Sequence, residues 1–84
     1  MKIEVLPTAV KEFENLPRSI QRQIASKITG LAKDPFPASS KPLKGENTHR
    51  LRSGDYRILY AVDTRAQTVT IVKIRHRKDA YRNL

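Results

Sequence analysis

The fold is decided by the segment His49-Arg50-Leu51-Arg52-Ser53-Gly54-Asp55-Tyr56-Arg57-Ile58-Leu59-Tyr60. Residues 49–52 and 56–60 are typical of two strands, and the Ser53-Gly54-Asp55 segment between them is typical of a turn. Side chains alternate between the two faces of a strand. A sheet that buries the apolar side chains of this hairpin beneath helices, Leu51, Ile58 and Tyr60, therefore presents three arginines on its other face: Arg50, Arg52 and Arg57.

Three guanidinium groups on one small surface repel one another unless an anionic partner meets them. The whole chain has 84 residues and a net charge of +9. Residues 1–40 carry six basic and four acidic side chains, whereas residues 41–84 carry eleven and four. This asymmetry favours a nucleic-acid face. An acidic protein partner would account for the charge equally well.

Length and composition narrow the class of protein. Residues 1–84 suffice for a single domain with one modest core. The sequence has no cysteine, which excludes disulfides and thiolate metal sites and is typical of a reducing compartment. It has no apolar run of membrane-spanning length and no signal-peptide pattern. We expect a cytoplasmic protein without a metal, a cofactor or a membrane partner.

Two helices are predicted before the hairpin, preceded by a short strand over residues 2–6. Pro7 opens the first helix, and Pro17 ends it and starts the second, which runs to about Lys33. Apolar residues recur at helical spacing on both helices. The predicted buried stripes are Ala9, Val10, Phe13 and Leu16 on the first helix, and Ile20, Ile24, Ile28 and Leu31 on the second.

The remaining segments are a connection and the end of a sheet. Residues 34–37 break the second helix, and residues 38–48 are expected to form a polar connection whose lysines could lie along RNA or could simply be exposed loop residues. The hairpin continues to Val62, and a last strand spans residue 68 to about residue 76. Val72 and Ile74 share one face of that strand, and Lys73, Arg75 and, if the strand extends that far, Arg77 share the other.

The predicted order of elements is therefore β-α-α-β-β-β. The last three strands form an antiparallel meander, and the helical hairpin covers one face of the sheet. This is a two-layer α+β architecture. The pattern leaves open where the first strand joins the sheet.

The chain resembles the RelE/ParE family, the small toxins of type II toxin–antitoxin systems. The resemblance covers nearly the whole chain, and the motifs that carry it are Leu16-Pro17, Lys41-Pro42-Leu43-Lys44-Gly45, Leu51-Arg52-Ser53-Gly54-Asp55-Tyr56-Arg57 and Ile74-Arg75-His76-Arg77-Lys78-Asp79-Ala80-Tyr81. It implies a RelE-like fold and an antitoxin that neutralises the toxin. In the RelE branch it implies metal-independent cleavage of mRNA in the ribosomal A site, and in the ParE branch inhibition of DNA gyrase.

The resemblance also assigns roles to residues. Arg57 matches a position that binds phosphate and stabilises the transition state, although it could instead pair with Asp55 or Asp63. Arg77 matches an arginine that neutralises the leaving oxygen. Tyr81 matches a tyrosine that contacts the substrate near the scissile bond, although a terminal tyrosine can also simply pack on the sheet.

Arg50 occupies a position that the family often fills with lysine, which changes the acid–base chemistry because arginine does not release its proton. The remaining candidates for a general base are His76, His49 and Tyr81, and strand alternation places His76 away from the arginines. We expect six further cations to contact RNA: Lys41, Lys44, Arg52, Lys73, Arg75 and Lys78.

Three functions are compatible with these residues. The favoured one is a ribosome-dependent mRNA interferase with a catalytic set of Arg50, Arg57, Arg77 and Tyr81. The others are a gyrase inhibitor and a non-catalytic RNA-binding protein. The expected partners are the ribosome, mRNA and a RelB-like antitoxin whose acidic C-terminal segment folds on contact and covers the cationic surface.

Overall fold

The computed structural model describes residues 1–43 and 48–77. Lys44, Lys78 and Tyr81, which the sequence assigned to the site, lie outside these residues. The described elements are β1 (Lys2–Val5), α1 (Pro7–Glu14), α2 (Arg18–Lys33), β2 (Ser40–Pro42), β3 (Thr48–Ser53), β4 (Tyr56–Asp63) and β5 (Thr68–His76). No helix in the described part of the chain is long and apolar enough to cross a lipid bilayer.

The strands form one sheet in the order β1-β5-β4-β3-β2. Strands β2 to β5 pair antiparallel, and β1 joins β5 in parallel, so the sheet is mixed. Helix α1 packs on β5, and α2 packs on β1, β3 and β5. The predicted two-layer α+β fold is confirmed, and the place of the first strand is at the β5 edge.

Strand β2 lies within residues 38–48, where the sequence predicted only a polar connection. Ser40 is paired with Leu51, and Pro42 is paired with His49. Proline is compatible with an edge strand because its missing N–H can face away from the neighbouring strand. The three residues of β2 show no alternation of apolar and polar side chains, so the sequence alone does not indicate a strand here. The strand forms by pairing with β3.

The β3–β4 hairpin closes through a loop of two residues, Gly54 and Asp55. Gly54 has a φ of +59°, the conformation that a glycine at the first loop position of a type II′ turn adopts. The register then pairs Ser53 with Tyr56 and Arg52 with Arg57. The turn therefore fixes which side chains face one another across the hairpin.

The core lies between the helices and one face of the sheet. Its most deeply buried large side chains come from α2 and the three central strands: Ile24, Leu31, Leu51, Ile58, Tyr60, Val69 and Ile71. Of the stripe predicted on α1, Ala9 is fully buried, but Val10 is 40% exposed. The prediction for Val10 is wrong because the two-turn α1 covers β5 with only a narrow side.

A bulge interrupts the pairing of β4 with β5. Leu59 is opposite Lys73, but the next residue, Tyr60, is opposite Ile71, so Val72 is an extra residue in β5. The bulge lets Ile71 and Ile74, three positions apart, both point into the core. The prediction that Val72 and Ile74 share a face is therefore wrong, because alternation cannot reveal a bulge.

Tyr60 joins the end of the helical layer to the sheet. The side chain is fully buried, and its hydroxyl donates a hydrogen bond of 2.7 Å to the carbonyl oxygen of Pro35, just after α2. Burial raises the pKa of Tyr60 because the phenolate loses its hydration, although a hydrogen bond with Ser40 acts in the opposite direction.

Replacing the hydroxyl in Tyr60→Phe should lower the free energy of unfolding by about 1 kcal/mol, since the Pro35 carbonyl loses its donor. The raised pKa means that the folded protein holds the phenolic proton more tightly than the unfolded chain. The contribution of the Tyr60 hydroxyl to the free energy of unfolding is therefore fully present below about pH 10, the pKa of tyrosine in the unfolded chain. It is lost as the pH rises through the pKa of Tyr60 in the folded protein. Urea denaturation of both proteins between pH 8 and pH 11 measures this. Parallel stability curves would contradict the role of Tyr60.

Candidate nucleic-acid interface

Strand register brings the predicted arginines onto one face. Arg52 lies directly opposite Arg57, and Arg57 lies opposite Arg75 on the next strand. One step along the sheet, Lys41 lies opposite Arg50. Residues in such positions share a face with Cβ atoms about 4.5–5.5 Å apart. The surface is the face of the sheet opposite Leu51 and Ile58.

A cleft of about 300 Å³ opens on this face and is lined by Ala38, Ser39, Lys41, Arg50, Arg52 and Arg57. We call it the cationic cleft. Four of its six lining residues are cations, and none of these described residues is acidic. Concentrated positive charge in a concave surface attracts anions more strongly than the same charges spread over a convex one. The chemistry of the lining suits phosphate groups.

Arg57 is the most deeply buried cation of the cleft. Only 4% of it is exposed, and its Nη1 donates hydrogen bonds to the carbonyl oxygens of Gly54, at 3.1 Å, and Tyr56, at 2.9 Å. A buried charge needs such partners, because desolvation alone is costly. The hairpin turn thus holds the guanidinium in place before any ligand arrives.

Arg75 has the strand position of a cleft residue, but α1 holds its side chain. Its Nη1 lies 2.8 Å from Oε2 of Glu12, and Oε1 of Glu12 accepts the backbone N–H of Ile74 at 3.0 Å. Nε of Arg75 is buried without a hydrogen-bond partner. The sequence proposed Arg75 as an RNA contact, whereas the structure uses it to attach α1 to β5. Lys73 is half-buried opposite Leu59 and does not line the cleft.

The two histidines lie on the core side of the sheet. His49 stacks on Tyr60 with ring centroids 5.5 Å apart and meets the ring of Phe36 at 5.0 Å. His76 meets Tyr56 edge to face at 5.3 Å. Neither histidine is among the residues that line the cationic cleft. Both are therefore packed as aromatic side chains in this structure.

Arg77 lies immediately after β5, beside the hairpin turn. Its backbone N–H donates to the carbonyl oxygen of Asp55 at 2.6 Å, and its side chain is exposed. The structure thus places Arg77 next to the loop that holds Arg57, but Arg77 does not line the cleft. Of the four residues predicted as catalytic, Arg50 and Arg57 lie together in the cleft.

The sequence named Lys41 as an RNA contact but did not predict the strand that positions it, and it gave no role to Ser39 or Glu12. Lys41 reaches the cleft because β2 pairs with β3, and β2 had no pattern from which to predict it. Glu12 is a partly buried acid near the end of a helix, with no sequence signal that links it to residue 75. In residues 1–43 and 48–77, no group of three histidine, aspartate or glutamate side chains is arranged to hold a metal ion.

Comparison with known proteins identifies the family. The family model for the ParE toxin of type II toxin–antitoxin systems matches residues 3–81. The chain belongs to the RelE/ParE family of toxins. This confirms the resemblance that the hairpin and the last strand carry.

Individual relatives agree with this assignment. Toxin RelG of Mycobacterium tuberculosis is 36% identical over 78 residues, which cover 89% of this chain and 88% of that protein. The archaeal RelE–RelB complex from Pyrococcus horikoshii contains a chain that superposes with a TM-score of 0.82 at 26% identity, covering 90% of this chain and 93% of the other. The toxin–antitoxin complex RelBE2 from Mycobacterium tuberculosis gives 0.80 at 30% identity, covering 90% and 96%.

The Glu12 contacts allow a test of how the helices hold the sheet. Glu12→Gln keeps an oxygen for the Ile74 N–H but removes the ion pair, which should cost about 0.5–1 kcal/mol because Arg75 and Glu12 remain 34% and 18% exposed. Glu12→Ala also leaves the N–H without its acceptor and should cost about 1–3 kcal/mol. Chemical denaturation measures both variants, with Glu14→Gln on the same helix as the control. Equal losses in all three variants would show that the contact has no special role.

Proposed function

We propose that this toxin is a ribosome-dependent mRNA interferase, a metal-independent endoribonuclease that cuts mRNA in the A site and uses the cationic cleft as its phosphate-binding site. The observation that carries the proposal is Arg57, a nearly buried guanidinium fixed by the hairpin turn at the base of a cleft with three further cations. An arginine needed only for solubility would be exposed. A fixed, recessed cation is suited to a ligand whose charge must be met at one point.

The reaction makes specific demands on the cleft. The 2′-oxygen of a ribose attacks the adjacent phosphorus, the bond from phosphorus to the 5′-oxygen breaks, and a 2′,3′-cyclic phosphate and a 5′-hydroxyl result. Negative charge develops on the non-bridging oxygens and on the leaving oxygen. In this proposal Arg57 stabilises the first of these charges, and Arg50 and Arg52 line the same cleft. Arg77, beside the hairpin turn, is a candidate for the leaving oxygen.

The proton transfers fall to few groups. The 2′-hydroxyl must lose a proton and the 5′-oxygen must gain one, yet arginine keeps its proton. Among the described residues of the cleft, Lys41 has a side chain of a type that can exchange a proton. Tyr81 lies outside the described residues, and its role stays a prediction. His49 and His76 are engaged in aromatic packing. We therefore assign most of the catalysis to charge stabilisation, with the ribosome positioning the mRNA for attack.

An antitoxin is the second proposed partner. Two structural relatives are toxin–antitoxin complexes, and this chain leaves apolar side chains exposed around α1, at Val5, Leu6 and Val10. A cavity of about 270 Å³ lies beside them, between α1, α2 and the sheet. An antitoxin with an apolar segment for this surface and an acidic segment for the cationic cleft would satisfy both.

Gyrase inhibition is the alternative, because the matching family model is that of ParE toxins. The fold is compatible with both activities, so the family alone does not decide between them. The cleft geometry favours RNA chemistry, since a protein-binding role does not require a recessed arginine. Separate readouts of mRNA ends and of DNA supercoiling after induced expression distinguish the two.

Arg57→Ala should reduce cleavage of mRNA on ribosomes with a programmed A-site codon by about 100-fold, the loss expected when one fixed donor to a developing oxyanion is removed. Primer extension detects the new 5′ end of the downstream fragment. Arg65→Ala is the matched control, because Arg65 is exposed in the turn at the opposite end of β4, roughly 25 Å away at the usual rise per residue.

Lys41→Arg keeps the positive charge of the side chain but removes a group that can exchange a proton. A loss of maximal cleavage rate without weaker RNA binding would therefore assign proton transfer to Lys41.

Unchanged cleavage by Arg57→Ala would remove the cleft from the mechanism. Intact mRNA together with altered supercoiling and accumulated gyrase–DNA complexes would establish the alternative function. RNA binding that weakens steeply with salt but never produces strand scission would leave a non-catalytic RNA-binding protein.

Val10→Asp should weaken binding of the antitoxin encoded beside this toxin by about tenfold or more, because a buried interface position would receive a charge. The free toxin should melt as the wild type does, since Val10 is already 40% exposed. Calorimetric titration measures the affinity, and Thr64→Asp in the exposed β4–β5 turn is the control. Equal affinities for the two variants would place the antitoxin elsewhere.

A further inference from the structure

A further cavity, of about 150 Å³, lies on the helix side of the sheet at its β2 edge, with Leu51 in its lining. The cationic cleft lies on the other face of the same edge, and Ser39, in the turn that precedes β2, lines both. A strand of RNA that crosses this turn therefore passes from the cleft to the cavity. The rest of the lining comes mainly from the last turns of α2 and the loop that follows it. The cavity volume is about five times the volume that one water molecule occupies in liquid water. This size suits a single small planar group.

The opening of this cavity depends on Gly30, inside α2. Glycine in a helix interior destabilises the helix relative to alanine, so its presence there needs a reason. A Cβ at Gly30 would have no heavy atom within 4 Å apart from its own helix and chain neighbours. Close packing therefore does not demand glycine at this position. The missing side chain instead leaves the cavity open.

The lining has an apolar floor and a polar rim. Leu31 and Leu51, both almost fully buried, supply the floor. Ser26, Ser39 and Asp34 supply hydroxyl and carboxylate groups around it, and Asp34 is held in place because its Oδ1 accepts the N–H of Phe36 at 3.0 Å. A flat ring with hydrogen-bonding edges uses both parts of this lining. An aliphatic side chain of a peptide would use only the floor.

We propose that this cavity receives one unstacked base of the single-stranded RNA whose phosphate group lies in the cationic cleft. The inference rests on the proposed function, because the cleft must hold RNA for a base to reach its neighbour. Single-stranded RNA is commonly recognised through bases that are splayed out of the strand. Lys27 on the cavity wall adds a cation for the backbone of that same strand.

The test combines a cavity-filling variant with RNA that lacks one base. Gly30→Leu extends a side chain into the open space, and Gly30→Ala adds only a methyl group and is the matched control. The probe is an eight-nucleotide single-stranded RNA, with a set of copies in which each nucleotide in turn is abasic. Fluorescence anisotropy at one low salt concentration gives every dissociation constant.

For the wild type, one abasic position should weaken binding by about tenfold or more, the effect of losing one accommodated base. Gly30→Leu should bind the intact RNA about tenfold more weakly, and the abasic effect should vanish. Gly30→Ala should keep a clear abasic effect. If Gly30→Leu does not melt cooperatively, Ser26→Leu, at an exposed rim position, fills the cavity instead and carries the same expectation.

An abasic effect of equal size in the wild type and in the filled variants overturns the inference, and so does RNA binding that no single base affects. A filled variant that loses affinity only for the antitoxin assigns the cavity to a peptide and also overturns it. Ribosomal cleavage by the wild type separates the two proposals. Cleavage with no base-dependent binding removes this inference alone, whereas the absence of cleavage removes the proposed function.

Discussion

Repulsion between cations that share one face of a small sheet is the constraint on which the rest of the structure depends. Arg52 and Arg57 lie directly opposite each other across a hairpin, an arrangement that destabilises an isolated sheet. The opposite face of the same strands carries Leu51, Ile58 and Tyr60, all buried under the helices. Apolar burial on one face therefore keeps the charges together on the other.

Two local devices adjust this arrangement. The bulge at Val72 changes the alternation of β5, so that both halves of the strand contribute buried side chains to the core. Glu12 then neutralises Arg75 and binds the backbone of the neighbouring residue. The cations that line the cleft therefore come from β2, β3 and β4 alone. The same Glu12 contacts attach α1 to β5, which the few apolar side chains of this short helix cover only in part.

The two surfaces of the molecule differ in chemistry. The sheet face carries the cationic cleft and a fixed arginine, whereas the side of α1 carries exposed valine and leucine next to an apolar cavity. On the proposed function, the first surface holds the phosphates of mRNA and the second receives the antitoxin. An acidic segment that also reached the cleft would compete directly with RNA for the same guanidinium groups, so inhibition would follow from occupancy alone.

Much of this could be predicted from the sequence. Alternation in residues 49–60 determined which side chains of the hairpin face the core, and Pro7, Pro17 and Gly54 marked where helices and the turn begin. These features are local, since each depends on residues within a few positions. The family motifs then singled out Arg50 and Arg57 as candidate site residues, and the structure brings both into one cleft.

Only the tertiary structure decided the features that join distant parts of the chain. Strand β2, the parallel pairing of β1, the bulge at Val72 and the capture of Arg75 by Glu12 have no local pattern, because each forms against a partner far away in the sequence. The same is true of the cavity beside Gly30, which needs α2 and β3 together. Sequence thus sets the direction of each side chain along its own strand, whereas packing between elements decides which of them meet.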